Sequence, residues 1–153
     1  MRDRWLPVGV LAGVLFAINV VIRLIVWLFV KSDSKQIVLG FIGLGLIALV
    51  MAVATYRWAG RYPLNRVGPD LAVAVAVACA LSVLVGPFAG GTVPFKEGAG
   101  LFFGEIWHYL AFTGGGALLG LMVLMALGRD YRAQALKRYA AVRAAKPRRV
   151  VRR

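Results

Sequence analysis

The chain has 153 residues, 61% of them hydrophobic, and a formal net charge of +13, with a mean hydropathy of +0.78. A soluble domain is apolar over nearer half its residues, so composition excludes that class and points to one compact membrane domain with no room for a second folded unit. The single cysteine, Cys79, excludes an internal disulfide and a CxxC pair, which disfavours redox or thiolate-metal chemistry.

A spanning helix needs about 20 predominantly apolar residues. Four runs qualify, and they define a transmembrane domain over residues 1–128 followed by a basic tail over 129–153. The first, 6–30, follows Arg2 and Arg4 but is too long for a secretory signal and carries Arg23 within it; it is expected to be a retained helix,. Gly9, Gly13 and Ala17 recur every four residues along it, a spacing that lets helix backbones approach closely,. Asn19 and Arg23, also four apart, share one face,.

The second run, 37–58, has its own small residues at Gly40, Gly43, Gly45, Ala48 and Ala52. The third, 71–88, alternates like a strand, but an isolated strand in lipid leaves its backbone unpaired, so helix is expected. It then carries two small stripes, Ala72, Ala76 and Ala80 beside Ala74, Ala78 and Ser82. The connection 86–100, rich in glycine and proline, is expected to lack regular helix and to lie outside; it holds no G-K-[ST], so a phosphate loop is rejected,. The fourth run, 101–127, has Gly116 and Gly120 as a close-packing pair, with Glu105 and His108 three apart on one face,.

Aromatic residues including Trp5, Trp27, Trp58, Tyr62, Phe88, Trp107 and Tyr131 fall near the run ends, where amphipathic rings prefer the headgroup level. Fifteen Lys and Arg residues lie in the N-terminus, the second loop and the tail, against Lys31, Lys35 and Lys96 in the other two loops. The positive-inside rule therefore puts both termini and the middle loop in the cytoplasm of a multi-pass cell-membrane protein. Short connections favour an all-α, up-down four-helix bundle with neighbouring antiparallel helices. Arginine exceeds lysine fourteen to five in an Ala-, Val-, Leu- and Gly-rich chain, a composition of the kind GC-rich bacterial genomes encode.

Ionisable groups inside spans are functional hypotheses by default. Arg23 lies about 12 Å below the outer boundary at Lys31, and Glu105 and His108 about 6 and 10 Å below Leu101. An Arg23 to Glu105 ion pair is expected, within a polar cluster of Asn19, Arg23, Ser82, Glu105 and His108. A carboxylate-bridged metal centre needs a second Glu-x-x-His and two further carboxylates; the chain has no other histidine, so no metal or other cofactor is expected. No nucleophile, base and orienting group fall into a recognisable grouping, so an enzyme is not expected.

From Arg129 the sequence could prolong the fourth helix until Pro147 interrupts it,. Arg132, Lys137, Arg138, Arg143, Lys146, Arg148, Arg149, Arg152 and Arg153 suit anionic lipid at the cytoplasmic face, each contributing about 1 kcal/mol near the surface. Nucleic acid is disfavoured because no aromatic platform accompanies the charge. The leading expectation is a non-enzymatic accessory or scaffolding subunit of a membrane complex, with the lipid bilayer and either a second copy of the chain or a larger membrane complex as partners. The alternative is a small oligomeric transporter or channel using the Arg, Glu and His cluster.

Overall fold

The computed structural model describes residues 2–93 and 98–145, which form six helices and no strand: α1 Arg2–Phe29, α2 Asp33–Ala59, α3 Leu64–Leu84, α4 Gly86–Ala89, α5 Ala99–Ala126 and α6 Tyr131–Ala145. Four of them, α1, α2, α3 and α5, are long and apolar enough to cross a membrane. At 1.5 Å per residue α1, α2 and α5 reach about 40 Å, beyond a hydrocarbon core of about 30 Å. Their ends therefore extend past that core or tilt within it.

The third helix differs most from its expected bounds of 71–88. It begins at Leu64, after Pro63 as N-cap, and stops at Val85, whose N–H donates to the Leu81 carbonyl at 2.8 Å. The early start takes in Asn65, Arg66 and Asp70, polar residues that a hydropathy count rejects and a helix end accepts. The early stop has a chemical cause at Pro87, which has no N–H to continue the ladder. The chain turns there into the single turn of α4, so the segment expected to lack regular helix contains one short piece of it.

Packing ranks differently from the order along the chain. The α2–α5 pair is the most intimate, α1 lies against α3 and α2, and α3 also meets α5. Glycine explains the first of these. A Cβ added to Gly116 would fall 2.8 Å from Ala48 Cα, and one on Gly120 would fall 3.0 Å from Ala52 Cα, so the two backbones meet where side chains are smallest,. In α3 the stripe of Ala74, Ala78 and Ser82 is buried, while Ala72, Ala76 and Ala80 turn outward. Gly9 and Gly13 also differ from expectation: α1 buries Val8, Leu11, Ala12 and Leu15, and the glycine face meets nothing within 4 Å. Larger side chains fill the interior more completely, and the glycine side is left outside.

The tail is a separate helix. After Ala126 the chain closes with Gly128 N–H on the Met125 carbonyl at 2.9 Å and Arg129 N–H on the Leu124 carbonyl at 3.2 Å, with Gly128 at φ +58°. This is a Schellman ending, which needs the left-handed conformation that glycine adopts without strain. Asp130 then caps α6 by accepting from Ala133 N–H at 3.2 Å,. Gln134 donates to the Gly60 carbonyl at 3.2 Å and Arg129 to the Tyr56 hydroxyl at 3.4 Å, tying the start of α6 to the end of α2. The expected continuation to Pro147 is thus replaced by a break, and Pro147 lies outside the described residues.

Replacing Gly116 or Gly120 by alanine forces a methyl into backbone that cannot give way, and should cost about 1 to 3 kcal/mol. Gly115→Ala, where a Cβ has open space, should change stability by no more than about 0.5 kcal/mol. Thermal or denaturant unfolding in detergent reads the difference; equal effects at the three positions would contradict the packing.

Candidate functional site: a polar cleft between the helices

Arg23 lies six residues before the end of α1, and Glu105 six residues after the start of α5. Both are about 9 Å from their helix ends, and this matched depth allows them to meet. They form an ion pair, Arg23 Nη2 donating to Glu105 Oε1, with side chains 25% and 38% exposed. Arg23 Nε also donates to Asn19 Oδ1 at 2.9 Å, one turn earlier on the same helix. The pair links helices that share no close backbone packing, α1 and α5.

Gly86 is the site residue that the reading of the sequence missed. A Cβ there would lie 3.1 Å from Arg23 Nε and 3.2 Å from Asn19 Oδ1, so the start of α4 lies against this hydrogen bond and tolerates little more than hydrogen. The signal was present as Gly-Pro immediately after an apolar run, but it reads first as a chain break.

The pair lines a cleft of about 610 Å³ bounded by α1, α2, α5 and the turn after α4. Its lining runs from Val30 to Asn19 on α1 and from Gln36 to Ile47 on α2, a length of about 16 Å on each helix. His108 lines it too, without a bond to Glu105. Its Nδ1 lies 2.7 Å from the Gly104 carbonyl oxygen; a carbonyl only accepts, so Nδ1 donates and, in the neutral ring, Nε2 is left as an acceptor. Phe41 stands edge-on to the imidazole at 6.3 Å between centroids.

Ser82 is not part of this group. It is fully buried beside Tyr109, and the hydroxyls of Ser82, Tyr109 and Thr55 make no hydrogen bond of acceptable geometry. Thr113, also buried, donates to the Tyr109 carbonyl at 2.8 Å, a common use of a hydroxyl within an apolar helix. Among the described residues no three His, Cys, Asp or Glu side chains gather as a metal site would require.

Of the tail residues, Arg132, Lys137, Arg138 and Arg143 project from α6 and are exposed. Lys137 Nζ reaches the Gly128 carbonyl at 3.5 Å, and the Arg143 guanidinium lies 5.9 Å from the Tyr139 ring centroid. Lys146, Arg148, Arg149, Arg152 and Arg153 lie outside the described residues.

Four helices long and apolar enough to span a bilayer put the chain in the class of multi-pass membrane proteins. No protein-family model, no curated protein and no solved structure matches it.

Removing either partner of the ion pair leaves the other charge stranded. At this partial exposure Arg23→Leu and Glu105→Gln should each cost about 3 kcal/mol, at the lower end for buried pairs. The double variant should lose distinctly less than the two losses added. Unfolding in detergent measures all three, and full additivity would separate the two residues.

Proposed function

We propose that this chain is a non-enzymatic accessory or scaffolding subunit of a membrane complex. In this reading it is an up-down four-helix bundle with both termini and the 60–63 turn in the cytoplasm. The observation that carries it is the way the polar cleft ends. Beyond Ile47 and Tyr109 the interior holds Leu15, Met51, Leu71 and Leu124, all at most 8% exposed, with the hydroxyls of Thr55, Ser82 and Thr113 among them, and among the described residues no charged side chain is buried there. Arg23, Asn19 and Glu105 bond to one another, an arrangement suited to fixing helix positions. The outward small-residue faces, Gly9 and Gly13 on α1 and Ala72, Ala76 and Ala80 on α3, are of the kind along which membrane helices associate.

The tail fits the same reading. Tyr131, Ala135, Tyr139 and Val142 share one side of α6, with Arg132 and Arg138 flanking it, a pattern suited to lying at a lipid surface with the basic heads in contact with anionic headgroups. The 610 Å³ cleft itself favours the second reading, a small oligomeric transporter that uses Arg23, Glu105 and His108.

Affinity purification of the tagged chain from its own membrane in mild detergent separates the two. A distinct partner in stoichiometric amount is expected. A lone homo-oligomer that carries a pH- or substrate-dependent flux in liposomes, abolished by Glu105→Gln, would replace the accessory role with transport. For the tail, changing Arg132, Lys137, Arg138 and Arg143 to glutamine should weaken binding of a 129–153 peptide to anionic liposomes by about 1 kcal/mol for each residue that sits near the surface. Cosedimentation measures this, and unchanged binding would remove the lipid contact.

A further inference from the structure

The ion pair does not use up the polar capacity of the cleft. A guanidinium has five N–H donors and a carboxylate two acceptor oxygens. Nε of Arg23 goes to Asn19 and one Nη2 hydrogen to Glu105 Oε1; the remaining donors and Glu105 Oε2 have no hydrogen-bond partner among the described residues. In an apolar surround each such group calls for a partner. Nε2 of His108 adds a further acceptor on the same lining. The cleft thus offers unfilled donors on one side and unfilled acceptors on the other.

The charges of Arg23 and Glu105 cancel. A ligand with net charge would bring an uncompensated ion into a low-dielectric site, whereas one carrying both signs and no net charge meets each group with its opposite. The volume of about 610 Å³ falls in the range of small-molecule sites. Along its 16 Å the walls include Ile22, Val26, Ile37 and Leu44, which suits an amphiphile better than a wholly polar solute.

We propose that the cleft between α1, α2 and α5 binds a zwitterionic phosphate-plus-primary-ammonium group, its anion on Arg23 and its ammonium on Glu105 and His108. This goes beyond the accessory role and does not depend on it. A primary ammonium has three N–H donors for Oε2 and Nε2. The glycerol hydroxyls of an anionic headgroup also donate, but they bring no positive charge to set against Glu105.

The test uses the full chain purified in mild detergent. Short-chain phosphatidylethanolamine or phosphatidylglycerol is added, and retained lipid is read by native mass spectrometry. Phosphatidylethanolamine should be retained at least tenfold more than phosphatidylglycerol, and Glu105→Gln should abolish that preference. Because Glu105→Gln can also weaken the fold, Gly40→Leu is the second variant. Gly40 lines the cleft, and a Cβ there meets nothing within 4 Å, so leucine fills the cleft and leaves the ion pair alone. It should cut retention at least tenfold with the unfolding transition unchanged. Water-soluble glycerophosphoethanolamine decides the source within the proposal: displacement of the lipid assigns the site to a free solute, and no displacement assigns it to a membrane lipid. Equal retention of the two lipids, or full retention in a folded Gly40→Leu chain, would overturn the proposal.

Discussion

An arginine inside an apolar helix is costly without a polar partner, and Arg23 finds an anion on α5,. That requirement fixes the rotation of α1. With Arg23 and Asn19 turned inward, Val8, Leu11 and Leu15 follow them into the core on the same side, and Gly9 and Gly13 are carried outward. It also fixes α4, since Gly86 rests against the Arg23 and Asn19 side chains where any Cβ would crowd them.

Two kinds of contact then divide the long helices. Where Gly116 and Gly120 face Ala48 and Ala52, α2 and α5 close to backbone distance, and packing in lipid gains from that proximity. Where Arg23 and Glu105 meet, two long side chains span the gap between α1 and α5, and a cleft remains alongside them. The same set of helices is therefore tight along one pair and open along another. The α2–α5 pair and the inner core are close-packed, and the open end supplies the polar chemistry.

Much of this was legible in the residues. Long apolar runs announce the four spans, because a bilayer permits few other uses for them. The ion pair was legible because only one acid in the chain lies deep in a span at a depth matching Arg23. Gly116 and Gly120 lie against the backbone of Ala48 and Ala52, yet Gly9 and Gly13 have the same spacing and face outward; a small stripe states that close approach is possible and says nothing of whether a neighbour takes it. Hydropathy likewise blurs helix ends, which is why α3 starts seven residues before the expected Leu71. The break at Gly128 was written in Leu-Gly-Arg-Asp, a helix ending followed by a cap, but the apolar and basic character on either side concealed it. The cleft had no sequence signal, since it arises from how three helices lean together.

The contact between α1 and α5 requires Glu105 to be an ionised carboxylate that holds Arg23. Infrared difference spectroscopy of the membrane-reconstituted protein, wild type minus Glu105→Gln, addresses this most directly. An ionised pair gives loss of carboxylate stretching bands at neutral pH together with a shift of the guanidinium bands. Loss of a protonated carboxylic acid band, with the guanidinium bands unmoved, would contradict it.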